Sequence, residues 1–131
     1  MALPLMRTDR TETILLVEDD ELVRESLCTV LDIYGYDVLI ARTGEEAIDI
    51  SRSHSGAIHL LITDVFMPNM KGPELVDHIK KLRPETKVLF MSGYPDHVIA
   101  EHGGNLVANA FIQKPFTGSE LARKARELSG A

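Results

Sequence analysis

The sequence predicts an α/β fold: a doubly wound, five-stranded parallel sheet with helices on both faces. Three observations carry that prediction. Short runs of branched apolar residues alternate with longer segments whose apolar positions recur every three and four residues, the pattern of successive parallel βα units. The runs Leu60-Leu61-Ile62 and Val88-Leu89-Phe90 are apolar at consecutive positions, as central strands buried on both faces require. The length of 131 residues, with 44% hydrophobic and 26% charged, suits a single compact domain.

Residues 1–11 read as a flexible tail and 12–131 as the folded domain. The apolar stretch Met1 to Met6 is far shorter than a signal-peptide core with its flanks, and no segment approaches the ~20 apolar residues that span a bilayer. The first strand is Thr13 to Val17, and the helix after it carries Leu22, Val23, Leu27, Val30 and Leu31 as an inner stripe. Asp37 to Ile40 is the second strand, followed by a helix with Ala47, Ile48 and Ser51 inward. Ile58 to Thr63 is the third. The next helix opens at Gly72-Pro73, where a first-turn proline needs no amide donor, carries Leu75, Val76, Ile79 and Leu82, and stops before Pro84.

Lys87 to Met91 is the fourth strand. Asp96 to His102 has only Val98 and Ile99 for anchorage and runs into Gly103-Gly104, which predicts a short, mobile helix. Ala110 to Ile112 is the fifth strand. The last helix starts at Thr117, where Glu120 completes a T-x-x-E capping box, with Leu121, Ala125 and Leu128 inward. Right-handed crossovers between such units give the flavodoxin-like order 2-1-3-4-5, whose ligand crevice lies beyond the carboxyl ends of the first and third strands.

An excess of 20 acidic over 14 basic residues, net charge −6, argues against nucleic-acid or anionic-lipid surfaces as partners. The lone Cys28 allows no internal disulfide and fits the cytoplasm. His54, His59, His78, His97 and His102 lack zinc spacing and read as surface or packing residues. Met67, Met70 and Met91 read as gap-filling side chains.

The chemistry gathers at strand ends. The first strand runs directly into Glu18-Asp19-Asp20-Glu21, acids that repel one another unless solvated or bound to a hard cation such as Mg²⁺. Acids also favour the first turn of a helix, which accounts for Glu21 and leaves both readings of this segment open on its own. The third strand ends at Asp64, which in the predicted order faces Glu18 and Asp19 across the switch point. The fourth ends at Ser92-Gly93, a hydroxyl able to donate to an anionic oxygen, and the fifth leads into Lys114-Pro115, an ammonium able to balance the acids.

Taken in order, Ile14-Leu-Leu-Val-Glu-Asp-Asp20, Ile62-Thr-Asp-Val-Phe-Met-Pro68 with Gly72, Ser92-Gly93 and Lys114-Pro115 resemble the receiver (response-regulator) domain of bacterial two-component signalling, over Thr13 to Leu128. The resemblance implies that Asp64 is a phosphoacceptor attacking a partner's phosphohistidine. It implies Mg²⁺ (or Mn²⁺) held by Glu18, Asp19, Asp64 and the backbone carbonyl of Phe66. Lys114 would pair with the carboxylate before transfer and the phosphoryl group after it. Ser92 and Phe111 would form a switch read out on the Asp96 to His102 helix, the fifth strand and the last helix. A cis Lys114-Pro115 bond is also implied.

Such a domain assists its own phosphorylation and dephosphorylation rather than turning over a substrate. Its partner would be a histidine kinase or histidine phosphotransfer protein, with no nucleic acid and no direct membrane contact; a phosphorylation-dependent homodimer stays open. Met91-Ser-Gly-Tyr-Pro95 and Gln113-Lys-Pro-Phe116, together with the abrupt ends, resemble the C-terminal receiver of a hybrid sensor histidine kinase, a stand-alone regulator being the alternative. Phe111 stands where tyrosine is frequent. Phe66 and Tyr94, both aromatic and each two residues beyond a key group, are expected to hinder in-line water and prolong the phosphoryl lifetime.

Three other functions compete. A haloacid-dehalogenase-like phosphatase needs a second aspartate where Phe66 stands. A flavodoxin-like cofactor binder needs a phosphate loop that Glu18-Asp19-Asp20 would repel. A phosphorylation-independent pseudo-receiver would have no use for the full set of acids, hydroxyl and lysine.

Overall fold

The structure, a computed structural model, describes residues 12–93 and 111–129. Its elements run β1 (Thr13–Val17), α1 (Glu21–Ile33), β2 (Asp37–Ala41), α2 (Gly44–Ser53), β3 (Leu60–Asp64), α3 (Gly72–Leu82), β4 (Lys87–Ser92), β5 (Phe111–Gln113) and α4 (Gly118–Ser129). The five strands form one sheet in the order β2-β1-β3-β4-β5, parallel at every pairing. This is the predicted order.

Alternation along the strands sends successive side chains to opposite faces. Ile14, Leu16 and Ile62 meet Leu27 and Leu31 of α1 and Leu121 and Ala125 of α4 on one side. Leu15, Val17 and Leu61 meet Ala47 and Ile48 of α2 and Leu75 and Ile79 of α3 on the other. Every residue of β1 is buried, as a strand covered on both faces must be.

Several expected boundaries move. The third strand starts at Leu60 rather than Ile58 and includes Asp64, which pairs in register with Met91. The fourth extends to Ser92, and the described part of the fifth, Phe111–Gln113, runs one residue past its expected end at Ile112. Leu22 is not part of the α1 stripe: it is 77% exposed, because five residues of helix put it about 140° around the axis from Leu27. Leu82, at the last turn of α3, is 42% exposed.

The helix ends follow the expected punctuation. Pro73 occupies the first turn of α3. Thr117 and Glu120 form a reciprocal capping box, the Thr117 amide donating to Glu120 Oε1 at 2.7 Å and the Glu120 amide to Thr117 Oγ1 at 3.1 Å. The 1–11 tail, the Asp96 to His102 helix, Ala110 and Tyr94 lie outside the described residues. No helix among the described residues is long and apolar enough to cross a membrane.

Candidate functional site

The carboxyl ends of β1, β3, β4 and β5 converge at one edge of the sheet. Val17 is in register with Thr63, so the next residues along, Glu18 and Asp64, face each other across the point where chain order reverses. One carboxylate oxygen from each of Glu18, Asp19 and Asp64 lies within 4.8 Å of the others. Glu18 is buried, Asp64 half-buried and Asp19 exposed, so the group opens to solvent on the Asp19 side.

Lys114 crosses from beyond β5 to meet them. Its amide donates to the Ser92 carbonyl at 2.7 Å, which ties the start of the β5–α4 turn to the end of β4. Its ammonium then reaches Asp64 Oδ2 at 3.1 Å and stands 3.6 Å from Glu18 Oε1. The Lys114-Pro115 bond is cis. Ser92 is 1% exposed and sits one residue beyond Met91, the register partner of Asp64, and Gly93 follows it. Phe111 opens β5 in register with Phe90, and half-buried Phe66 lies two residues past Asp64 on the β3–α3 loop.

The electrostatics follow from burial. Desolvation, reinforced by the charge of Asp64, pushes the Glu18 carboxyl up to about 7, against the opposing pull of the Asp20 amide and Lys114. Burial also disfavours the Lys114 ammonium, but the charge and hydrogen bond of Asp64 and the nearby Glu18 outweigh it and hold the group above its ordinary value. Acid therefore exceeds base inside the site. Glu18 Oε1 is buried with no hydrogen-bond partner. A buried carboxylate oxygen with an ammonium 3.6 Å away but no hydrogen bond, beside two more carboxylates, one of them solvent-facing, fits a hard divalent ion that keeps some of its waters, such as Mg²⁺.

The backbone under Asp64 is tightly fixed. The Val65 amide donates to the Met91 carbonyl at 3.0 Å, and the Gly72 amide to the Val65 carbonyl at 2.8 Å. A Cβ on Gly72 would come within 2.3 Å of the Asp64 carbonyl oxygen, so only glycine lets α3 start this close beneath the strand end. The fully buried Thr63 hydroxyl donates to that same carbonyl at 3.1 Å. On the β1 side, Arg24 Nη1 donates to the Glu18 carbonyl at 3.0 Å. Sequence reasoning missed Thr63 and Arg24, because their bonds go to backbone oxygens and leave no pattern of residue types. Half-buried His59 accepts at Nδ1 from the Thr13 amide at 2.9 Å.

Residues 14–126 match the family model of the response regulator receiver domain. The chain belongs to this receiver family. It is 38% identical over 119 residues to the sensor kinase CckA of Brucella abortus (strain 2308), a match covering 88% of this chain and 12% of that protein. It is 32% identical over 117 residues to the transcriptional regulatory protein CpxR of Escherichia coli (strain K12), covering 88% of this chain and 48% of that protein. Among solved structures, the receiver domain of the hybrid histidine kinase CckA superposes with a TM-score of 0.74 at 34% identity, covering 89% of this chain and 98% of that one. The receiver thus spans about an eighth of the one relative and about half of the other.

Proposed function

We propose that this receiver is a phosphoacceptor in which Asp64 takes a phosphoryl group from a phosphohistidine. The observation that carries the reading is the Lys114 ammonium 3.1 Å from Asp64 Oδ2, in a site where acid exceeds base. An Asp64 carboxylate oxygen attacks phosphorus; an O–P bond forms as the N–P bond to the partner's imidazole breaks, and the imidazole nitrogen keeps the electron pair. The work is positioning and charge neutralisation, with little covalent chemistry asked of the protein. Lys114 supplies positive charge first to the carboxylate and then to the phosphoryl oxygens. Glu18, Asp19, Asp64 and the Phe66 carbonyl are the groups that would hold Mg²⁺ or Mn²⁺. When bound, such an ion supplies the remaining positive charge that the phosphoryl oxygens require.

Ser92, one residue past the register partner of Asp64, is read as the hydroxyl that would donate to a phosphoryl oxygen, and Phe111 opens the neighbouring strand. These two are the proposed switch, and β5 and α4 form the described part of the surface it would bias. Phe66, with Tyr94, would screen the acyl phosphate from in-line water. The donor is a histidine kinase or histidine phosphotransfer protein in the cytoplasm. Similarity to the CckA receiver supports a place within a hybrid histidine kinase, a stand-alone regulator being the other arrangement of the same chemistry.

The test is incubation with acetyl phosphate, with and without Mg²⁺, followed by intact mass. The expected result is a base-labile gain of one phosphoryl group that requires Mg²⁺ and is absent from Asp64→Ala. No gain in the wild-type chain would reduce the domain to a phosphorylation-independent interaction module.

A further inference from the structure

Four successive carboxylates, Glu18 to Glu21, make a turn that should splay unless something holds it. Two of its anchors are ordinary. The Glu18 amide donates to the Ala41 carbonyl at the end of β2 at 3.1 Å, and Asp20 caps α1 through the Val23 amide at 3.0 Å. A third lies within the turn, the Asp20 amide donating to Glu18 Oε2 at 3.1 Å, and the fourth is a side chain reaching backward. Arg24, at the end of the first turn of α1, sends Nη1 to the Glu18 carbonyl at 3.0 Å while its own amide donates to the Asp20 carbonyl at 2.9 Å. Asp19 is the residue enclosed between those two bonded carbonyls. The ion pairs among the described residues are Arg42 with Glu46, Arg52 with Asp49, and Lys114 with Glu18 and Asp64; Arg24 enters none of them. Its guanidinium grips the backbone of the acidic turn without pairing with any of its carboxylates.

We propose that Arg24 is a positioning residue for the divalent ion: by fixing the Glu18 carbonyl it holds the Glu18 and Asp19 carboxylates at the spacing a shared ion requires. The inference rests on the reading of those two residues as Mg²⁺ ligands. Its direction separates it from plain electrostatics. Deleting a cation beside a dication site should tighten Mg²⁺ binding by Coulomb's law. Deleting a clamp should weaken it, as loss of an outer partner of metal ligands generally does, by about 10- to 100-fold.

The experiment is a Mg²⁺ titration of the whole chain followed by backbone amide shifts at Asp19 and Asp64, for wild type, Arg24→Met and Arg24→Lys. Arg24→Met keeps the aliphatic stem and removes the donor, and its Kd is expected to rise about tenfold. Arg24→Lys keeps one donor and the charge, and is expected to recover most of the wild-type affinity. Arg24→Gln carries the same expectation as Arg24→Met should the latter fail to fold. A Kd for Arg24→Met (or Arg24→Gln) equal to or tighter than wild type overturns the clamp. A wild-type chain whose Asp19 and Asp64 amides ignore Mg²⁺ overturns the metal reading, and the clamp with it.

Discussion

Lys114 serves two carboxylates at once, lying 3.1 Å from Asp64 and 3.6 Å from Glu18, so its removal leaves acid facing acid in a partly buried site. Lys114→Met is expected to slow phosphorylation by acetyl phosphate about 10²-fold, the usual scale for losing one preorganised charge partner, as read from the rate of mass gain. Gly72 tests the backbone instead. A methyl there meets the Asp64 carbonyl, which cannot step aside without moving the proposed nucleophile. Gly72→Ala should therefore cost about 1–3 kcal/mol in urea unfolding and also slow phosphorylation. At Gly44 the same methyl meets the Met70 side chain, nearest at Sδ, rather than backbone, so Gly44→Ala should be milder. The convergence of Glu18, Asp19, Asp64 and Lys114 was legible in the sequence because each ends a strand or follows one closely. Arg24 and Thr63 were not, since a side chain bonded to a carbonyl oxygen can be of many types and at many spacings.

Elements were legible where their signals are local. The Pro73 helix start and the Thr117–Glu120 capping box involve residues within one turn of each other, and both stand as expected. Strand ends were less so, because a ladder continues for as long as its neighbour offers partners; Asp64 joins β3 through its pairing with Met91. Long-range side-chain staples were not legible at all. Arg83, just past α3, donates to the carbonyls of Ser51 at 2.9 Å, His54 at 2.5 Å and Gly56 at 2.6 Å, and so secures the connection from α2 to β3. Arg83→Ala should destabilise the fold by about 2 kcal/mol in chemical denaturation, the scale of hydrogen bonds from a charged donor. It should also speed amide exchange across residues 54–59 while leaving phosphorylation intact, since the staple lies at the opposite end of the strands from Asp64.

The whole molecule carries the cost of collecting acid at one edge of its sheet. A buried carboxyl raised from 4.5 to about 7 binds its proton more tightly in the folded chain than in the unfolded one. Its contribution to stability is complete below about pH 4.5 and is lost as pH rises through 7. In the absence of divalent ions, thermal melts should show that loss across this window, and Glu18→Gln should flatten it. Mg²⁺ should restore stability most strongly above pH 7, where the site is ionised and a ligand that binds only the folded state stabilises it by mass action. A pH profile unchanged by Glu18→Gln would remove the buried acid from the account. The order of the sheet was legible because a doubly wound arrangement is the small solution that covers both faces of such apolar strands, and its β1–β3 pairing brings Glu18 opposite Asp64. The measurement that tests the central claim most directly is borohydride reduction of the acetyl-phosphate-treated, Mg²⁺-loaded chain, followed by peptide mass mapping. An acyl phosphate at Asp64 is predicted to appear as homoserine at position 64 and nowhere else; an unmodified Asp64 alongside a phosphorylated site elsewhere would contradict it.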